Sequence, residues 1–465
     1  MMPRPYFARR PHLCLGAIAL AASLALQALP ALARCVDEDA YDPDAAAVPA
    51  AGDVRTVEAR PVDPRVNLQT LVRDALERSQ QIGAARLSAE AAQEDIEETA
   101  AGKQVQASLN AGLGPGGSQS LAGTETSALQ LRASISVSQL LYDGGRIDRL
   151  TDWRTQLAES ARQGHLTARE QLALNTVSLA LERSRYRQHV VVYGQYVRKM
   201  SCLLEALETI VRADRGRASE LVQARKTLQQ AELAQAQAVS QARQVEVRLR
   251  RLVGDGLPSV QGMSTLLLQV PALEQLLPEL EHNSEIAALE AQARAAGSYA
   301  QAVAAGSKPQ VSWNVNGSSA AGAGGSTGST RNSSYSLGVA VNIPLLNPGV
   351  APASDAARKR ARAAELQRAD ALDARRFRAA EVHEQTQASF DRSRRLGMVL
   401  RDSEQVRNYT LQQWQQLGRR SLFDVMGSEA EHYNLRISHV NAITDGQQLN
   451  ANLLSLARGV LEWLK

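Results

Sequence analysis

Residues 133–145 read ASISVSQLLYDGG, and residues 337–349 read LGVAVNIPLLNPG. Both stretches begin with apolar side chains that alternate with small or polar ones, and both end in a turn-forming group, DGG or NPG. A period of two places one kind of side chain on each face of a β-strand. The apolar positions are Ala133, Ile135 and Val137 in the first stretch and Leu337, Val339, Val341 and Ile343 in the second. We therefore predict two strands of the same pattern, 204 positions apart.

The same separation recurs along the chain. Three further pairs occur in the same order at separations of 204, 204 and 202: LERSQQI (76–82) with LEHNSEI (280–286), QASLNAG (106–112) with QVSWNVN (310–316), and GRAS (216–219) with GRRS (418–421). Ordered pairs at nearly one separation indicate an internal duplication. We predict two structural repeats, residues 66–258 and 259–465.

Each predicted repeat has the same order of elements. An alanine-rich amphipathic helix, 68–101 or 276–305, precedes a pair of strands joined by a Gly/Ser loop. A long proline-free stretch follows, with apolar residues at spacings of three and four, which predicts helices over 147–212 and 351–416. At about 1.5 Å per residue each would be roughly 100 Å long. GRAS and GRRS each interrupt the helical pattern, with Ser219 and Ser421 as the expected N-caps of the next helices.

The four predicted strands suit a membrane better than water. Each is near the 9 to 11 or so residues that a tilted strand needs to cross a bilayer. An apolar face opposite a polar face is typical of a barrel with a wet lumen, whereas a soluble sandwich or a coiled-coil spacer explains the combination of strands and long helices less well. Open sheet edges are costly in lipid, so copies of the chain must close the barrel. Two copies give eight strands with a filled interior, and three copies give twelve strands with a lumen.

The N-terminus carries features of export. Residues 1–33 combine a basic start, an apolar stretch and Ala31-Leu32-Ala33, which predicts a cleaved signal peptide in preference to a signal anchor. Residues 34–65 are rich in Pro, Ala and Asp and predict a disordered leader. Cys35 and Cys202 would remain after cleavage, too few for a disulfide framework, and Arg34 disfavours lipid attachment at Cys35. The net charge of +4 resides largely in the signal segment, which argues against nucleic acid as a partner.

The duplication and three motifs together resemble the TolC family of outer-membrane efflux and secretion proteins. The motifs are QLLYDGGR (139–146), IPLLNPGV (343–350) and GRRSLFDV (418–425), and the resemblance extends over residues 66–465. It implies an α+β membrane protein, in which three protomers contribute four strands each to a twelve-stranded β-barrel continuous with a long α-helical periplasmic barrel. The strand-end residues that carry it are Tyr142, Asp143, Gly144, Gly145, Pro344, Asn347 and Gly349. Pro348 departs from the pattern, since Gly144 is its counterpart, and should stiffen that turn.

The resemblance also implies a gate at the periplasmic helix ends. It places Arg420 on the gate arginine and Asp424 on an aperture aspartate, with Ser219 and Glu220 on the partner positions of the first repeat. Gly427 stands where a second aperture acid is expected. Arg420 is expected to bridge to Glu220 or Asp424 and hold the end shut, although a solvated helix-surface pair is the competing interpretation.

The function predicted from these features is passive export. The chain is expected to be the outer-membrane exit duct of a tripartite machine, with a periplasmic adaptor, an inner-membrane transporter (ABC or proton-driven) and outer-membrane lipid as partners. GLGPGG (112–117) resembles a phosphate-binding loop but lacks the following Lys-Ser/Thr. The histidines offer one helical pair, His432 and His439, whereas a metal site needs three or four convergent ligands. No serine lies in a nucleophile-elbow motif, so we predict neither an enzyme nor a cofactor or metal site. Arg34 favours type I protein secretion over small-molecule efflux, and a periplasmic adaptor is a weaker alternative.

Overall fold

The computed structural model describes residues 63–119, 125–213, 215–323, 330–417 and 419–465. The predicted signal peptide, Cys35 and residues 34–62 of the predicted leader lie outside the described residues. Among the residues described, no helix is long and apolar enough to cross a membrane.

The helices and strands follow one another as listed next by their bounds: α1 Pro64–Arg78, α2 Gln80–Ala100, β1 Gln106–Gln119, β2 Glu125–Tyr142, α3 Arg146–Ala213, α4 Ala218–Val253, α5 Leu273–Glu281, α6 Ser284–Ala305, β3 Gln310–Ala323, β4 Thr330–Asn342, α7 Val350–Leu417, α8 Leu422–Leu456 and α9 Val460–Leu464. The two long helices are confirmed, since α3 and α7 have 68 residues each. The order of elements in the first half recurs in the second half. The duplication itself and the boundary at 258/259 remain predictions.

The single helices expected before each strand pair are wrong, because each is divided in two. Ser79 separates α1 from α2, and its side chain accepts a hydrogen bond from the Ile82 amide. Asn283 separates α5 from α6 and accepts from the Glu285 amide. Ser and Asn side chains satisfy amides that a helix start leaves unpaired, so both residues begin a new helix.

The four strands form one antiparallel sheet in the order β1-β2-β3-β4. They have 13 to 18 residues, more than the 9 to 11 expected. β4 ends at Asn342, so the expected strand position of Ile343 is wrong. Pro344 follows, and proline has no amide for a sheet hydrogen bond and restricts the residue before it.

The strand register confirms the predicted separation of faces. Leu109 lies opposite Ile135, and Val315 lies opposite both Val137 and Leu337, so the odd-numbered residues share one face. The even-numbered residues form polar rows across all four strands, such as Ser108, Ser136, Asn316 and Ser336. Hydroxyl groups bond directly across this face, with 2.8 Å between the Ser108 and Ser136 oxygens and 2.7 Å between those of Ser318 and Ser334.

The chain divides into two compact units. The sheet unit comprises residues 75–174, 271–382 and 452–465 and contains all four strands. The helical unit comprises the described residues up to 74 together with 175–270 and 383–451. Cys202 in the helical unit is disulfide-bonded and is therefore not a free thiol. The other cysteines of the chain, Cys14 and Cys35, lie outside the described residues.

Candidate functional site

Both helix interruptions lie at one apolar cluster of the helical unit. Its buried members are Val192, Tyr196, Met200, Leu203 and Leu207 of α3, Ala224 and Ala231 of α4, Leu411 and Trp414 of α7, and Leu422, Val425, Met426 and Tyr433 of α8. Leu221, which follows Glu220, packs against this cluster, and Leu422 lies between Arg420 and Asp424. The structure therefore brings the predicted gate positions of the two repeats to the same cluster.

Asp424 has a structural role at the start of α8. The Ser421 amide and hydroxyl both donate to Asp424 Oδ2 at 3.1 Å, and the Asp424 amide donates to Ser421 Oγ at 3.3 Å. This reciprocal arrangement is a capping box, in which the residue at the cap and the third helical residue satisfy each other's amides. The prediction of Ser421 as an N-cap is confirmed. The prediction for Ser219 is wrong, because α4 already begins at Ala218 and Arg217 occupies its cap position.

Arg420 pairs with Asp424 and not with Glu220 among the residues that the structure describes. The distance from Arg420 Nη1 to Asp424 Oδ2 is 4.0 Å, with the two side chains 53% and 44% exposed. Arg420 Nε also donates a hydrogen bond to Gln413 Oε1 at 3.2 Å. An exposed pair of this kind contributes about 0.3–0.5 kcal/mol within one chain. Within a single protomer, these contacts alone hold the side chain weakly.

The first-repeat positions differ from each other in burial. Ser219 is exposed, whereas Glu220 is partly buried in the first turn of α4. A carboxylate there interacts favourably with the positive end of the helix dipole. At Gly427 an added Cβ would meet no atom within 4 Å, so the position has room for a side chain.

The DGG turn connects β2 to α3 through a buried carboxylate. Asp143 is 4% exposed and accepts hydrogen bonds from the Gly145 amide at 2.9 Å and the Ile147 amide at 2.6 Å. Gly144 and Gly145 have φ values of +66° and +83°, which side chains rarely allow. A Cβ on Gly144 would also lie 2.5 Å from the Lys308 side chain, whose Nζ donates to the Gly144 carbonyl at 3.1 Å.

The NPG turn performs the same connection with a different backbone. Asn347 Oδ1 accepts from the Gly349 amide at 3.1 Å, as Asp143 does from Gly145. Pro348 cannot adopt the positive φ of Gly144, and Gly349 is not among the positive-φ residues of the described chain. Proline therefore changes the turn but leaves the connection to α7 intact, as expected.

A buried cluster of charges in the helical unit was missed by the sequence reasoning. Glu429 of α8 is 0% exposed, and its carboxylate lies 3.8 Å from Lys199 Nζ and 3.5 Å from Arg407 Nη1. Burial, together with the Glu429 charge, raises the pKa of Tyr196 to about 12. The sequence did contain one indication of this cluster. Glu429 is three or four residues from Val425, Met426 and Tyr433, so it shares a helical face with apolar and aromatic side chains.

Solved structures share this fold. The outer membrane protein VceC of Vibrio cholerae matches with a TM-score of 0.71 and 18% identity, over 85% of this chain and 96% of that one. The open MtrE outer membrane channel of Neisseria gonorrhoeae matches at 0.69 and 16%, over 85% and 89%. The CmeC outer membrane channel of Campylobacter jejuni matches at 0.67 and 12%, over 83% and 84%. No protein-family model and no curated protein sequence matches the chain. The resemblance to the TolC family is thus confirmed at the level of the fold, which this chain shares with outer-membrane channels.

Proposed function

We propose that the chain is an outer-membrane export duct, in which three copies form a twelve-stranded β-barrel continuous with a periplasmic helical barrel. The observation that carries the proposal is the two-faced, open-edged sheet joined to two helices of 68 residues. The likeness in fold to outer-membrane channels supports it. On this proposal the protein conducts its cargo passively and is not an enzyme.

The sheet supplies the physical reason for assembly. β1 and β4 are its outer strands, so each leaves a row of backbone groups unpaired within the described sheet. Such groups cost several kcal/mol each in hydrocarbon, which no single copy of four strands can avoid. Three copies joined edge to edge close the sheet, with Val339 and its row in lipid and Ser336 and its row in the lumen.

The strand faces can be tested with a matched pair of substitutions in β4. Val339 shares its row with Trp313, whereas Ser336 shares its row with Asn316. Arginine on a lipid face costs about 2–4 kcal/mol at the midplane and less towards the interfaces, while a lumen position tolerates it. We expect Val339→Arg to reduce the heat-resistant oligomer in outer-membrane fractions and Ser336→Arg to leave it nearly unchanged. The reverse order would contradict the orientation of the sheet.

The gate is proposed at the helix ends that carry Arg420, Asp424, Ser219 and Glu220. At a threefold axis Asp424 would face two copies of itself, and contacts made by Arg420 in three protomers would add to each other. Arg420→Ala should raise single-channel conductance, with the neighbouring exposed Arg419→Ala as control. Asp424→Asn should weaken block by periplasmic divalent cations and is preferred to alanine because it retains an oxygen for the capping box. Unchanged conductance and block would refute the gate and leave the duct standing.

A periplasmic adaptor and an energy-supplying inner-membrane transporter, ABC or proton-driven, complete the proposed machine. Type I protein secretion is the cargo hypothesis that the Arg34 argument favours, although that residue lies outside the described chain. Small-molecule efflux is the second candidate. Deleting the gene in a strain that also secretes a type I substrate separates the two, because only one of secretion and drug resistance should fall.

A further inference from the structure

One charged side chain stands on the polar face of the sheet. Among the strand residues that the structure describes, up to the register shift after Leu140, the even-numbered positions carry Ser, Asn, Gln, Thr, Gly and Ala, one leucine, and a single ion, Arg132. Arg132 lies opposite Gly112, six rungs from the Gln106–Ser138 pair and seven rungs from the Gln119–Glu125 pair. It is therefore near mid-height of the β1–β2 hairpin.

The Arg132 guanidinium is held against the sheet. Its Nε and Nη2 donate to Gln130 Oε1 at 3.0 and 2.7 Å, and Gln130 Nε2 donates to the Gly116 carbonyl at 3.3 Å. A Cβ at Gly116 would lie 2.8 Å from Arg132 Nη2 and 2.5 Å from Gln130 Oε1. Gly112, Gly114 and Gly116 on this face carry no side chains, which leaves room above β1 for the side chains of Gln130 and Arg132.

The position of this charge agrees with the proposed orientation of the sheet. An arginine that pointed into lipid would cost more the nearer it lay to the midplane, up to about 2–4 kcal/mol. On the polar face it meets water and the amide of Gln130 instead. Arg331, the arginine on the opposite face, lies one rung from Arg132, because Arg132 pairs with Ala320 and Arg331 pairs with Ala321. It therefore provides a control of equal charge at a matched position on the other face.

We propose that three copies of Arg132 form a ring of positive charge inside the barrel and make the barrel section of the duct favour anionic solutes over cationic ones. This inference rests on the trimeric duct proposed above. A ring of arginines in a narrow wet passage selects for anions, because like charges are repelled where the surrounding walls are of low dielectric. No carboxylate stands on the same face in the described strands to neutralise it. The cargo that this barrel passes most readily would carry negative charge or none.

The test is the reversal potential of purified trimers in planar bilayers across a KCl gradient. At about 0.1 M salt, where screening extends over about 10 Å, Arg132→Gln should lower the chloride-to-potassium permeability ratio by about threefold. Arg132→Glu should lower it further, and all differences should shrink at 1 M salt. Arg331→Gln removes an equal charge from the opposite face and should leave the ratio unchanged.

The possible results distinguish failure of the arginine ring from failure of the proposed duct. Conducting channels whose permeability ratio is the same in wild type, Arg132→Gln and Arg132→Glu would overturn the ring alone. An equal change of the permeability ratio in Arg331→Gln would also overturn the ring, because the effect of a charge would then not depend on the face of the sheet that carries it. Absence of any channel in wild type would overturn the duct and this inference with it.

Discussion

Replacing Glu429 with glutamine removes the negative charge from a carboxylate that is completely buried between two cations. At separations of 3.8 and 3.5 Å from Lys199 and Arg407, each attraction is about 4–5 kcal/mol at an effective dielectric constant of 20. The cost of burying the charges offsets much of this gain, but that cost remains for the cations when the carboxylate is neutralised. We therefore expect Glu429→Gln to lower the free energy of unfolding by about 3–5 kcal/mol per protomer.

The measurement is denaturant unfolding of the helical signal by circular dichroism, in detergent, with a double-mutant cycle. Lys199→Met in the Glu429→Gln background should recover part of the loss, giving a coupling energy above about 1 kcal/mol. Glu365→Gln is the control, because its pair with Arg362 is solvent-exposed at 2.6 Å and should be worth less than about 0.5 kcal/mol. A loss at Glu429 no larger than at Glu365, or a coupling of zero, would refute the reasoning.

Two further predictions concern backbone conformation and pH. Gly144→Ala should destabilise the protein by about 1–3 kcal/mol, because Gly144 has a positive φ and lies close to the Lys308 side chain. Gly427→Ala should stabilise the protein by about 0.5–1 kcal/mol, because Gly427 lies in a helix with room for a Cβ. Thermal unfolding of both variants should show melting temperatures that change in opposite directions. Burial, aided by Arg185, lowers the pKa of His189 from 6.5 to about 4. Its contribution to stability is therefore complete above pH 6.5 and is lost as the pH falls towards 4, since the unfolded chain binds the proton first. Urea unfolding should show about 2 kcal/mol less stability at pH 5 than at pH 7.5, and His189→Gln should reduce that difference; an equal difference in the variant would contradict this assignment.

The strand faces and the long helices could be predicted because both depend on local periodicity. Alternation along 133–138 and 337–342 survives as rows across the sheet, and apolar spacings of three and four survive in α3 and α7. The divisions at Ser79 and Asn283 were missed for a local reason as well. The sequence alone does not distinguish a polar residue on a helix surface from one that caps a helix, because the difference lies in the backbone conformation.

The gate positions could be placed only in part. The motif GRRS correctly located the cap at Ser421. GRAS gave a wrong cap at Ser219, because its glycine, Gly216, lies within a short 3-10 turn, 215–217, that leads directly into α4. Arg420 pairs with Asp424 and not with Glu220 because of the distances between these side chains in the folded chain, and sequence periodicity does not determine those distances. The buried Glu429 cluster depends on which helical faces meet, and three helices contribute to it.

The end of β4 gives a further physical reason for the proposed assembly. In the first repeat, the corresponding segment 139–142 continues as strand and pairs with β3, whereas 343–346 lies beyond the last rung of β4. Leu345 and Leu346 are consequently 91% and 88% exposed in the single chain. Covering each of two leucines contributes about 1.5–3 kcal/mol, and three protomers in a ring would gain this at three junctions. The outer edge of β4 and this apolar pair lie together, so one neighbouring copy could pair the strand and cover both leucines. In the proposed trimer, edge pairing and apolar burial would therefore act at the same junction.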